Sequence, residues 1–155
     1  MMTLTEGAKA PGFSGIDQNG NLVSLDQFRR NTVILFFFPQ DCFTACSGGC
    51  DLNDNFRNWI NKGFKIITVC NNNYEEHRNY ILQHSLPFVL IDDFEKRISS
   101  KYGIWDAAEN RESLLHATFI ISPDGIIEKI IINVSKDELS MQINFLKKLN
   151  LEYLN

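Results

Sequence analysis

The sequence predicts an α/β domain built on a central mixed sheet with helices on both faces and a β-hairpin at its N-terminus. Three observations carry that expectation. Strand-like and helix-like patterns alternate along the 155 residues. One strand-like run, Thr32 to Phe38, is β-branched and then aromatic without alternation, as in a strand covered on both sides. The length suits one core, since domains commonly run to about 100–200 residues, so residues 1–155 are expected to form a single domain. With 44% hydrophobic residues and twelve Phe, the chain is too apolar to stay disordered.

The elements follow in order. Within Phe13 to Val23, Asn19-Gly20 lies between two short extended segments, a strong local hairpin signal. The apolar run to Phe38 ends at Pro39 and reads as a central strand. From Leu52, the residues Phe56, Trp59 and Ile60 recur at helical spacing on one face that stops near Gly63, and the two tryptophans, Trp59 and Trp105, read as packing. Phe64 to Cys70 reads as a strand, Tyr74 to Leu82 as a helix, and Pro87 to Ile91 as extended. Phe94, Ile98 and Tyr102 mark a further helix face. Thr118 to Ile121 and Ile126 to Ile132 flank Ser122-Pro123-Asp124-Gly125, which predicts a second hairpin. Ser135-Lys136-Asp137-Glu138 has the form of a capping box before a last helix. A βαβα core followed by a hairpin and a helix is the element order of a thioredoxin-like sheet.

Charge and hydropathy exclude several function classes. Fifteen Lys and Arg against nineteen Asp and Glu give a net charge of −4, without the basic excess that binding to a phosphate backbone requires, so nucleic acid is not an expected partner. The longest apolar run is six residues, Val33 to Phe38, far short of the roughly 20 that span a bilayer, so no membrane association is expected. The first residues have no basic, apolar leader pattern. Three of the four cysteines, Cys42, Cys46 and Cys50, crowd into nine residues, unlike the spread of a secreted disulfide scaffold. A cytoplasmic location is expected, with the clustered thiols serving redox chemistry or a metal.

The three thiols join the end of a buried strand to the start of a helix, the side of open α/β sheets where ligands bind. A cysteine at a helix N-terminus has its thiolate stabilised by the dipole and by unpaired N–H groups, which can bring its pKa from about 8.5 to about 7 or below. Cys46 has that place. Cys46 and Cys50, four apart, would share a helix face with Cβ atoms about 5–6 Å apart, whereas a disulfide needs about 3.8 Å. That pair closes only if the first turn unwinds, while Cys42 and Cys46 need no helix to break. Both pairings stay open.

Together with their flanks, these residues resemble the peroxiredoxins, in particular the bacterioferritin comigratory protein or peroxiredoxin Q group. The likeness is carried by Ala10-Pro11-Gly12-Phe13 with Asp17-Gln18-Asn19-Gly20, by Phe38-Pro39 with Asp41, and by Leu86-Pro87-Phe88-Val89-Leu90 with Asp92. It continues through Lys101-Tyr102-Gly103-Ile104-Trp105, Ala117-Thr118-Phe119-Ile120-Ile121 and Pro123-Asp124-Gly125. The resemblance implies a thiol peroxidase that reduces hydrogen peroxide or a small organic hydroperoxide. In that family a proline is followed seven residues later by the peroxidatic cysteine; Pro39 plus seven is Cys46. It further implies Cys50 or Cys42 as resolving thiol, Thr44 as the peroxide-holding hydroxyl, and a thioredoxin-like dithiol protein as reductant. No metal or organic cofactor is needed, and a monomer or homodimer is expected.

Four positions depart from the family pattern. Phe43 stands where the family has Thr, with Thr44 one place late; Gly49 replaces a common Glu; Cys50 lies four rather than five residues after Cys46; and His116 replaces the activating Arg. Arg is always cationic and forks two donors toward a thiolate and a peroxide oxygen, while an imidazole is mostly neutral at pH 7, so activation should be weaker. Other readings compete. Cys42-x-x-x-Cys46 with a distant His116 is similar to the copper-handling Sco proteins, since two thiolates and an imidazole suit copper. A thioredoxin-like domain that has lost catalysis is another. Zinc on Cys42, Cys46 and Cys50 lacks an evident fourth ligand.

Overall fold

The computed structural model describes residues 4–37, 52–70, 74–83, 85, 88–93, 95–104 and 116–133, with the backbone alone at 52–56, 77, 80, 116, 132 and 133. Strands β1 (Ser14–Ile16) and β2 (Leu22–Ser24) form a separate two-stranded antiparallel ribbon. A 3-10 turn over Leu25–Phe28, which the sequence patterns did not suggest, leads to β3 (Val33–Phe37). Helix α1 (Leu52–Asn61), β4 (Lys65–Cys70), α2 (Tyr74–Gln83), β5 (Val89–Asp92) and the short α3 (Arg97–Lys101) follow. The hairpin β6 (His116–Ile121) and β7 (Ile127–Asn133) ends the described chain.

The five longer strands make one mixed sheet in the order β5-β4-β3-β6-β7. β3, β4 and β5 are parallel, and β6 and β7 are antiparallel to their neighbours. β3 is central and every one of its residues is buried, which explains why its sequence does not alternate. Strand geometry sends successive side chains to opposite faces. Ile34 and Phe36 join a core with Ile66, Cys70, Leu90 and Ile120 that is covered by Trp59 of α1 and Ile81 of α2. Val33, Leu35 and Phe37 join the other core, covered by Ile98 and Tyr102. Helices therefore lie on both faces, as expected.

Local chemistry fixes the ends of these elements. The N–H of Phe64 donates to Trp59 O and that of Gly63 to Ile60 O, with Gly63 at φ 97°, so a Schellman motif ends α1 where the glycine predicts it. Trp59 has no exposed surface and stacks on Phe36 with ring centroids 6.3 Å apart. Both expected hairpins are present, and Gly20 and Gly125 supply the positive φ that their turns require. The N-terminal segment runs along β7: Gly7 N–H donates to Ile127 O, and the Glu6 carboxylate accepts from Ile130 N–H at 3.0 Å.

One element differs from expectation. The helix face read from Phe94, Ile98 and Tyr102 is real only from Arg97, and position 94 lies outside the described residues. Lys96, at φ 59°, is left-handed and cannot be helical. The buried Asp93 carboxylate accepts hydrogen bonds from Ile98 N–H, Ser99 N–H and Ser99 Oγ, thereby capping a helix that starts later. Trp105 and the capping box with its last helix lie outside the described residues. Among the described residues no helix is long and apolar enough to cross a membrane.

Candidate active site

The parallel strands β3, β4 and β5 end at Phe37, Cys70 and Asp92 along one edge of the sheet. Ligands of open α/β sheets bind outside this carboxyl edge. The antiparallel β6 brings its first residue to the same edge, because Ala117 pairs with Phe37 and His116 precedes it by one. Cys70 pairs with Asp92 one residue beyond the pair Val69–Ile91. Strands lie about 4.8 Å apart, so positions 70 and 116, each one strand from β3, are about 10 Å from one another across the edge. Position 116, far along the chain, thus comes to the edge at which β3 ends.

The connection between β3 and α1 carries Pro39, Cys42, Thr44, Cys46 and Cys50, and all five lie outside the described residues. What is fixed are the two anchors of that connection: Phe37 at the end of the buried central strand, and Leu52 at the start of α1. His116 has a defined backbone place, opposite Asn133 of β7. Its side chain is outside the description.

Cys70 is described fully, and it is a different kind of thiol. It is free, has no exposed surface and sits in the core beneath α1 and α2. Burial, reinforced by the Asp92 and Asp93 carboxylates, pushes its pKa up to about 12. A thiol held protonated is neither nucleophile nor metal ligand at neutral pH. Tyr74 nearby is raised first by burial. Tyr102 is also raised by burial, and its hydroxyl donates to Pro11 O at 2.7 Å. These groups build the scaffold of the edge.

Three residues matter here that pattern reading missed. Asp93 caps α3 next to the Cys70–Asp92 pair, and its N–H donates to Cys70 O at 2.7 Å. Gln18, buried in the N-terminal turn, bonds β5 through its side chain. Thr118, two residues into β6, is buried, and its hydroxyl has no hydrogen-bond partner among the described residues. Only Asp93 left a sequence signal, an acidic residue just ahead of a helix. Among the described residues no group of three or more His, Cys, Asp or Glu could hold a metal.

The family model described as the AhpC/TSA family matches residues 7–130. The chain belongs to the AhpC/TSA family. Peroxiredoxin Bcp of Bacillus subtilis (strain 168) is 28% identical over 133 residues, covering 83% of this chain and 85% of the relative. Peroxiredoxin Q, chloroplastic, of Sedum lineare is 24% identical over 140 residues, 87% of this chain and 73% of the relative. Among solved structures, a mutant PrxQ of Xylella fastidiosa superposes with a TM-score of 0.74 at 14% identity, over 97% of this chain and 98% of that one. That likeness bears on the fold, which is thioredoxin-like as in other AhpC/TSA proteins of peroxiredoxin type. Membership supports thiol-dependent peroxidase chemistry, and the copper-handling alternative is not favoured.

Proposed function

We propose that this AhpC/TSA protein reduces hydrogen peroxide or a small organic hydroperoxide with Cys46 as the attacking thiolate. The observation that supports the assignment is the strand register: Ala117 pairs with Phe37, so position 116 adjoins the point where the cysteine segment leaves the sheet. The Cys46 sulfur attacks one peroxide oxygen, the O–O bond breaks, and the leaving alkoxide or hydroxide takes a proton to give an alcohol or water. Cys46 is then a sulfenic acid. The thiol of Cys42 or Cys50 displaces its hydroxyl as water and forms a disulfide, which a thioredoxin-like dithiol protein reduces by exchange. Pro39 sets the direction of the segment, Thr44 holds the peroxide, and His116 donates a hydrogen bond toward the reacting oxygen. We place the protein in the cytoplasm on the clustering of its thiols, as one domain acting as a monomer or homodimer without metal or organic cofactor.

The test is mass spectrometry of the fully reduced protein after one equivalent of peroxide, with peptide mapping of each cysteine. Cys46 is expected as sulfenic acid or as a disulfide with Cys42 or Cys50, and Cys70 unmodified. Oxidation of Cys70 with Cys46 untouched would overturn the assignment.

A further inference from the structure

Two threonines flank Phe36 in one row of the sheet. Phe36 pairs with Thr68 of β4 on one side and with Thr118 of β6 on the other. Both threonines are buried, and both lie on the face that α1 and α2 cover, since Phe36 belongs to that core. Their hydroxyls differ. Thr68 Oγ1 donates to Val89 O at 2.8 Å, whereas Thr118 Oγ1 has no hydrogen-bond partner among the described residues, although Thr118 is only 1% exposed. The positions that adjoin Thr118 on this face are Phe36 on β3, Ile131 on β7 and, along β6 itself, Ile120 and His116. Phe36, Ile131 and Ile120 carry no side-chain donor or acceptor. Position 116 is the remaining one, two residues along the strand and about 6.6 Å away, at the edge where β3 ends.

We propose that Thr118 is a positioning residue of the peroxidase site, its hydroxyl donating to one ring nitrogen of His116 while the other nitrogen carries its N–H to the bound peroxide; this rests on the reaction assigned above. A neutral imidazole has one N–H and one nitrogen with a free lone pair, and the partner of the second nitrogen decides where the proton sits. For His116 to donate toward the reacting oxygen, the nitrogen away from the peroxide must accept a hydrogen bond. Thr118 holds an unspent O–H beside it on the same face of the same strand. That hydroxyl has a cost in the resting fold, where valine would fill the place without burying a polar group. Around it β6 buries only the apolar Ala117, Phe119, Ile120 and Ile121. A hydroxyl unpaired at rest and used with peroxide bound trades stability for rate, and its removal should move the two in opposite directions.

The test is a double-mutant cycle on the reduced full chain, read by stopped-flow consumption of hydrogen peroxide, with Thr118→Val, His116→Ala and the two combined. Thr118→Val should lower the second-order rate about five- to tenfold, the worth of one hydrogen bond, with a thermal midpoint no lower than wild type. The pH dependence of Cys46 alkylation should not move, because the neutral imidazole adds no charge. Thr118→Ser, which keeps the hydroxyl, should restore most of the rate. In the His116→Ala background, Thr118→Val should change the rate by less than about twofold. A Thr118→Val rate within about twofold of wild type, or the same loss with and without His116, overturns the proposal. Should Thr118→Val fail to fold, Thr118→Ala is read by the same rate criteria. A wild-type chain that consumes no peroxide overturns the assigned reaction together with this role, whereas a wild-type chain that consumes it beside an unaffected Thr118→Val overturns the role alone.

Discussion

Cys70 ends β4 inside the sheet, whereas Cys42, Cys46 and Cys50 lie on the connection that leaves β3 along the same edge. The chemical type is identical and the setting is not. A strand position with core on its face desolvates the thiol and, beside Asp92 and Asp93, holds it protonated. A connection at the carboxyl edge, leading into a helix, is where a thiolate finds donors and a reactant finds access. The protonated state of Cys70 is thus set by its place in the fold.

The largest effect should separate the two settings. Cys46→Ser is expected to lower peroxide turnover by at least about a thousandfold, while Cys70→Ala leaves it within about threefold. Steady-state assays on the two variants check this, and comparable losses would erase the distinction. Next comes alkaline stability. Because the folded pKa of Cys70 is raised, both states are protonated below about pH 9 and nothing changes there. Between about 9 and 12 the unfolded chain releases the proton and the folded one keeps it, so stability falls as pH rises. The loss should approach about 1.4 kcal/mol per pH unit in that window and be absent from Cys70→Ala. Urea titrations of both forms at pH 8, 9, 10 and 11 measure it.

A smaller effect sharpens the reactive side. If position 116 faces the cysteine segment, His116→Arg should raise the second-order rate with peroxide roughly tenfold and lower the Cys46 pKa, since a permanent cation favours the thiolate. Alkylation of Cys46 against pH, run beside stopped-flow peroxide consumption, reads both, and no movement in either places His116 away from the sulfur. The smallest concerns Thr118. Its buried hydroxyl has no partner among the described residues, so Thr118→Val should stabilise the fold by about 0.5–1 kcal/mol. Thermal denaturation tests this, and a lowered midpoint would mean that the hydroxyl is bonded.

Much of the scaffold could be read from the chain because its signals are local. The unalternating apolar run before Pro39 marked the central strand, buried along its whole length, and Asn19-Gly20 and Pro123-Asp124-Gly125 marked two turns that close as hairpins. Where the reading and the structure differ, at the left-handed Lys96, the helical spacing of Phe94, Ile98 and Tyr102 outweighed a capping carboxylate whose importance depends on its burial. Asp93 and Gln18 share this property. Each is an ordinary polar residue until a long-range packing event turns it inward, and Gln18 reaches a strand 70 residues away. The site divides in the same manner. Residue type and spacing marked the cysteine segment and the family resemblance marked His116, while the pairing of Ala117 with Phe37 sets His116 beside the end of β3, where that segment begins.

That pairing has a consequence for how the chain is born. β3 bonds β4 on one side and β6 on the other, and its register joins Val33 to Ile121. During synthesis the parallel unit β3-β4-β5 can assemble long before β6 exists. At about 5–20 residues per second, roughly 4–18 s separate the two partners of that bond. For that interval the most apolar strand of the protein has one open side, and a nascent chain paused there offers Ile34 to Phe37 to whatever binds extended apolar peptide. Synonymous slowing of translation between residues 70 and 116 would lengthen this exposure, while the finished protein would carry no trace of it.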